Sequence, residues 1–159
     1  MGFVENNLSE KLMKKVLLGL VIAIMIIESV FACKTPEELM DNYFNDFNTQ
    51  DIKMVERNFS FPLMVIQNGN KTVHNDISTF LNFKKIKKTG WKESVINSLK
   101  LLMEKDKSAI TQLNFSRINN DGNVYLTSDV NYILIKENEY WYISSIIIDS
   151  DITLGIENN

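Results

Sequence analysis

The chain has 159 residues, of which 45% are hydrophobic and 23% are charged. Seventeen basic and twenty acidic side chains give a net charge of −3, which argues against a nucleic acid as partner. The single cysteine excludes an internal disulfide, so the hydrophobic core has to stabilise the fold. We predict no metal and no cofactor.

The N-terminal region has the pattern of an export signal. An apolar stretch, residues 16–27, follows Lys14 and Lys15. It is shorter than the roughly 20 residues that cross a bilayer, and its length is typical of the core of a signal peptide. Met13 directly precedes the two lysines, so we expect translation to start there. We therefore predict a signal peptide over residues 1–32; a retained membrane anchor is the alternative, against which Glu28 argues.

The predicted cleavage site leaves two fates for the cysteine open. Val30-Phe31-Ala32-Cys33 resembles a bacterial lipobox, in which the cysteine receives a diacylglyceryl group, although Phe31 departs from the pattern. Ordinary cleavage after Ala32 instead releases a periplasmic or secreted protein. The mature chain begins at Cys33 in both cases, and only a lipid on that residue would hold it at a membrane.

Residues 33–159 are long enough for one domain, and its first part is predicted to be helical. Thr35-Pro36-Glu37-Glu38 is typical of a helix start with a capping box, and apolar residues from Leu39 to Phe47 then recur at helical spacing. A second short helix is predicted over residues 51–58, before Pro62. Residues 63–67 and 71–74 form a hairpin around Asn68-Gly69. A third helix starts after Asn75 or Asp76.

The second part of the domain is predicted to be a sheet. Residues 109–118, 124–136 and 140–148 are rich in β-branched and aromatic side chains and are separated by turn sequences. These three segments form an antiparallel meander. Residues 91–104 fit both a strand and a helix, and periodicity does not decide between them. Helices followed by long strands indicate an α+β fold.

Two sequence stretches carry a family resemblance. Residues 115–125, with Phe115, Arg117, Asn119 and Asp121-Gly122, and the closing Tyr140-Trp141-Tyr142-Ile143-Ser144 resemble the nuclear transport factor 2-like superfamily. The resemblance implies an α+β cone-like fold, with N-terminal helices packed on a curved, mainly antiparallel sheet. It also implies a strand starting at Trp91 and a cavity between the helices and the concave sheet.

Arg117 is the best polar candidate for a ligand contact. It alternates in phase with Leu113 and Phe115, so its side chain is predicted to face the helices. A charge buried there without a partner would cost several kcal/mol, roughly, so a ligand contact, a structural ion pair or a position at the end of the strand is expected.

The other candidates each have a structural alternative. Asp46 follows the apolar face of the first helix and points to the cone mouth or to solvent. His74 is a candidate general base or a capping residue. Five aromatic residues are candidates for lining a pocket or for plain core packing: Tyr43, Phe47, Trp91, Tyr132 and Trp141. No catalytic residue is assigned.

Three functions are open on these grounds. The first is an exported binding module in the cell envelope, which takes a small apolar ligand or a protein partner. The second is a small lyase, isomerase or hydrolase that uses the same cavity. The third is an envelope structural subunit that forms a homodimer through its sheet.

Overall fold

The structure is a computed structural model that describes residues 33–153. The chain divides between Ala32 and Cys33, at the predicted cleavage site. The signal peptide prediction itself lies outside the described residues and stays a prediction.

The first helix is confirmed where its capping sequence places it. Helix α1 is Pro36–Thr49, and the Thr35 hydroxyl accepts a hydrogen bond from the Glu38 backbone N–H. The Glu38 carboxylate in turn accepts from the Thr35 backbone N–H at 3.3 Å. These reciprocal bonds satisfy two donors that every helix N-terminus leaves without an intrahelical partner.

The middle of the domain consists of more and shorter elements than predicted. Helix α2 is Ile52–Glu56, β1 is Phe59–Gln67 and β2 is Asn70–His74. The predicted third helix is two short elements, a 3₁₀ helix at Ile77–Thr79 and helix α3 at Phe83–Lys87. Asp76 and Asn82 cap them separately, and the Asn82 side chain takes the Lys85 N–H, which a continuous helix would use internally.

Four long strands follow: β3 is Trp91–Lys105, β4 is Ser108–Asn119, β5 is Val124–Glu137 and β6 is Tyr140–Ile148. The strand implied at Trp91 is therefore confirmed. The six strands form one sheet in the order β2-β1-β6-β5-β4-β3, in which only the β1–β6 pair is parallel.

Strand β1 starts earlier than predicted, because Phe59 already pairs with Ile143. The register shifts between Phe59 and Met64, and Pro62 lies in this irregular stretch. A proline, which lacks the N–H donor, is tolerated at such a position.

Helix α1 packs on one face of the sheet, and the core lies between them. Asn48 fixes the helix to the edge strand β3, because its amide donates to the Ser94 carbonyl and accepts from the Ser94 N–H, both at 2.8 Å. Tyr43 of the helix meets the ring of Tyr132 in β5, and Phe44 meets Phe115 in β4. The α+β cone fold is thus confirmed.

Candidate ligand-binding cavity

A cavity of about 30 Å³ lies between α1 and the sheet. One water needs roughly 10 to 15 Å³ on this measure, so the cavity has room for about two waters. Its lining is mostly apolar and comes from Phe44, Phe47, Phe115, Val130, Ile146, Ile148 and Ile152. Its polar lining residues are Tyr43, Ser94, Arg117 and Tyr132.

Arg117 lies in the cavity wall with only 2% of its surface exposed. Its Nη1 donates to the Thr153 carbonyl at 3.0 Å, whereas its buried Nε has no hydrogen-bond partner. No carboxylate within residues 33–153 forms an ion pair with it. Burial lowers the pKa of Arg117, and the nearby Tyr125 hydroxyl opposes this effect. The guanidinium is therefore a buried cation, and its Nε–H donor has no acceptor among the described residues.

Tyr43 and Tyr132 place two hydroxyls in the same wall. Their ring centroids are 5.9 Å apart in an edge-to-face contact. Burial raises the pKa of Tyr43 to about 12, and burial likewise raises the pKa of Tyr132 well above its usual value. Both phenols are therefore neutral at physiological pH, and Arg117 supplies the charge of the cavity wall.

The segment after β6 covers one side of the cavity. Ile152 is buried in the lining. The carbonyl of the next residue, Thr153, accepts a hydrogen bond from Arg117. The Gln67 amide donates to the carbonyls of Ser150 and Ile152, both at 2.9 Å. This C-terminal segment, residues 149–153, is held by side-chain hydrogen bonds rather than by a strand ladder.

Comparison with known proteins identifies the fold family. The family model described as "NTF2-like protein (DUF6841)" matches residues 35–151. The chain belongs to this family. A search of curated proteins finds no match.

Solved structures show the same fold at low identity. A cystatin-like-fold protein of unknown function from Nostoc punctiforme has a TM-score of 0.60 and 15% identity, and the match covers 75% of this chain and 90% of that one. An NTF2-like protein from Novosphingobium aromaticivorans has a TM-score of 0.60 and 10% identity, with coverage of 84% and 88%. A candidate ketosteroid isomerase from Shewanella frigidimarina has a TM-score of 0.53 and 9% identity, with coverage of 69% and 89%.

The NTF2-like domain brings four of the predicted site residues together: Tyr43, Phe47, Arg117 and Tyr132 all line the cavity. Trp91 is buried outside the lining, where it contacts the rings of Phe47 and Phe83. Trp141 is also buried outside it, where its backbone N–H donates to the Cys33 carbonyl. Both tryptophans therefore belong to the hydrophobic core and not to the cavity lining.

Asp46 lies in a separate polar cluster rather than at the cone mouth or in solvent. Only 4% of its surface is exposed. Its carboxylate accepts hydrogen bonds from Arg57 Nε at 3.0 Å, Arg57 Nη2 at 2.8 Å and Asn58 Nδ2 at 2.7 Å. This cluster ties α1 to the end of α2, which is a structural arrangement.

Seven lining residues were not among the predicted pocket residues: Phe44, Ser94, Phe115, Val130, Ile146, Ile148 and Ile152. Two of them could have been predicted from the sequence, because Ile146 and Ile148 lie two residues apart in the last strand and therefore on the same face of the sheet. Ile152 gives no such signal, because it follows the strand in an irregular segment whose path depends on Gln67.

Neither a metal site nor a membrane span appears in the part of the chain that the structure describes. Residues 33–153 contain no group of three or more His, Cys, Asp or Glu side chains arranged for a metal ion. In the same range no helix is both long and apolar enough to cross a bilayer.

His74 lies at the end of β2, away from the cavity lining, and 7% of its surface is exposed. Its Nε2 is 3.0 Å from the Thr72 hydroxyl and its Nδ1 is 3.2 Å from the Thr79 hydroxyl. Burial lowers the pKa of His74, partly offset by Thr79 and Asp76. The imidazole joins the β2 strand to the 3₁₀ helix.

This burial predicts a pH dependence of stability. Because the folded pKa lies below the unfolded value of about 6.5, the unfolded chain binds the proton first as the pH falls. We expect the unfolding free energy to decrease below about pH 6.5, and His74→Gln to make that decrease smaller. Urea titrations of both proteins at pH 7.5 and pH 5 measure the difference. Equal losses in the two proteins would contradict the assignment to His74.

Proposed function

We propose that this NTF2-like protein is an exported, non-catalytic binding module that holds a small, mostly apolar ligand in its cone. The observation that carries the proposal is the composition of the cavity wall. Seven of its eleven lining residues are hydrocarbon, and its ionisable groups are Tyr43, Arg117 and Tyr132. Such a wall, apolar with a few convergent polar groups, is typical of a small-molecule site.

The same lining argues against the enzyme alternative. General acid–base catalysis uses a group whose pKa lies near the working pH. The described lining contains no carboxylate and no imidazole, and burial raises the pKa values of both tyrosines. Asp46, His74 and Arg117 lie in three separate hydrogen-bond networks. A lyase, isomerase or hydrolase would lack a base in this cone, which makes binding the stronger proposal.

Binding requires the cone to open. Typical ligand pockets have roughly 300 to 1,000 Å³, about ten times the volume seen here or more. The C-terminal segment is a part of the wall that belongs to no strand ladder, and its carbonyls are held by side-chain hydrogen bonds from Gln67 and Arg117. We therefore expect Ile152 and Thr153 to leave their positions when a ligand enters.

A neutral fluorescent probe tests the proposal. N-phenyl-1-naphthylamine carries no charge and fluoresces in apolar surroundings, so the protein is expected to bind it. Val130→Phe places a larger side chain in the buried wall and should abolish the signal, provided that circular dichroism shows a folded protein. Val73→Phe makes the same change at a position that is 59% exposed and should retain binding. Equal binding by both variants would place the probe outside the cone and reject the proposal.

Processing of the N-terminus is a separate prediction. We expect the mature protein to begin at Cys33 without an acyl group, because Cys33 Sγ accepts a hydrogen bond from Asn42 Nδ2 at 3.2 Å inside the domain. Intact-mass analysis of envelope and medium fractions measures both features. A chain that retains Met13 would refute the signal peptide, whereas an acyl mass increment would establish the lipoprotein. In that case Cys33→Ser should release a folded domain from the membrane.

That the protein forms a homodimer or binds a protein partner remains a prediction. Four large apolar side chains of the edge strand β3 are exposed: Val95, Leu101, Leu102 and Met103.

A further inference from the structure

We infer that the ligand of this cone is a carboxylic acid with an apolar body, bound through its carboxylate by Arg117. The inference rests on the proposed function and specifies its ligand class. It starts from an imbalance in the cavity wall, which contains one buried cation and no anion among the described residues.

Burial of the Arg117 charge at this position destabilises the folded protein. A buried charge without a partner destabilises the folded protein unless something compensates it. The structure offers only partial compensation, through the Thr153 carbonyl on Nη1 and the hydroxyl of Tyr125. Nε remains buried without an acceptor. The unused donor therefore points to an acceptor that residues 33–153 do not supply.

The chemistry of the wall selects a carboxylate. A guanidinium binds the two oxygens of a carboxylate through parallel N–H donors. One negative charge neutralises Arg117, whereas a doubly charged phosphate would leave a net negative charge among hydrocarbon side chains. The neutral hydroxyls of Tyr43 and Tyr132 lie in the same wall and can donate to the anion once it is bound.

The remaining lining accepts the body of such a ligand. Phe44, Phe47 and Phe115 with the isoleucines of β6 provide an apolar surface beside Arg117. Entry exchanges the Thr153 carbonyl for the incoming carboxylate on Nη1, so the arginine keeps that hydrogen bond and gains a charged partner. The same movement withdraws Ile152 and provides room for the ligand.

A matched pair of ligands tests the inference on the mature protein. Octanoate and 1-octanol have the same carbon chain and differ in the charged head group. Each competes with N-phenyl-1-naphthylamine in a displacement titration. Hydrogen bonds to a charged group contribute about 1.5 to 3 kcal/mol, so the protein is expected to bind octanoate about tenfold more tightly than octanol, or more.

Variants then assign the preference to one side chain. Arg117→Met keeps the length of the side chain and removes the charge, and it should bind octanol as before and lose the preference for octanoate. Its melting temperature should be equal or higher, because an uncompensated buried charge is removed. Arg117→Lys keeps the charge without the planar fork and should show a reduced preference. Lys92→Met removes an exposed cation and should behave as the unchanged protein.

The outcomes separate the two proposals. If octanol displaces the probe as well as octanoate does, the cone binds apolar molecules and the carboxylate inference is wrong. It is also wrong if Arg117→Met retains the preference. If the probe binds in the cone and neither compound displaces it, the carboxylate inference is wrong while the binding function stands. If no folded protein binds the probe at all, the proposed binding function fails, and the ligand class fails with it.

Discussion

Replacement of Phe115 by alanine is expected to lower the unfolding free energy by about 3 to 5 kcal/mol. Phe115 is 5% exposed, and its ring lies 5.6 Å from that of Phe44 in an edge-to-face contact. The substitution removes an aromatic contact between β4 and helix α1. It also leaves a hole beside the existing cavity, and the structure around such a hole relaxes only partially.

Urea unfolding followed by circular dichroism measures this loss. Leu102→Ala is the matched control, because Leu102 is 55% exposed on the edge strand β3 and its truncation should leave the midpoint nearly unchanged. The enlarged cone should also bind N-phenyl-1-naphthylamine more tightly in the Phe115→Ala protein. A loss below about 1 kcal/mol would mean that Phe115 does not face the helix as described.

Asp46→Ala is expected to lower the unfolding free energy by about 2 to 4 kcal/mol. Breaking a fully buried ion pair costs about 3 to 5 kcal/mol, and the value here is lower because Arg57 is partly exposed to solvent. The carboxylate accepts three hydrogen bonds, two from Arg57 and one from the Asn58 amide. Its removal therefore affects both partners at the junction of α1 and α2.

Two further variants test this explanation by urea unfolding. Asp46→Asn keeps the size and one oxygen acceptor but loses the charge, so its loss should lie between those of wild type and Asp46→Ala. Asp41→Ala removes an exposed carboxylate from the same helix and is expected to have little effect. If Asp46→Ala instead abolished probe binding while stability stayed unchanged, Asp46 would belong to the ligand site.

The binding proposal and the stability predictions concern different networks. Asp46 and His74 stabilise junctions between short elements, and their variants should retain ligand binding while folded. Arg117 behaves in the opposite way, since its conversion to methionine is expected to alter ligand choice without lowering stability. Measuring both properties for each variant therefore distinguishes a structural polar residue from one that is retained for a ligand.

Local sequence determined much of the secondary structure. The capping box at Thr35 fixes the start of α1, and Asn68-Gly69 forms the β1–β2 turn with positive φ at both residues. The phase of β4 was also predictable, because successive side chains alternate between the two faces of a strand and Phe115 and Arg117 share one face. These features depend on residues close together in the chain, so sequence spacing specifies them.

Tertiary structure decided which polar residues meet. Asp46 pairs with Arg57 rather than reaching the cone, because α2 turns back onto α1 and brings that guanidinium within 2.8 Å. The segment 91–104 became a strand because β4 provides a ladder partner along its length. Arg117 acquired Tyr43 and Tyr132 as neighbours through the packing of α1 on β5, which joins residues distant in sequence. The alternation of a strand indicates that a charge is buried; only long-range packing determines whether another side chain neutralises it.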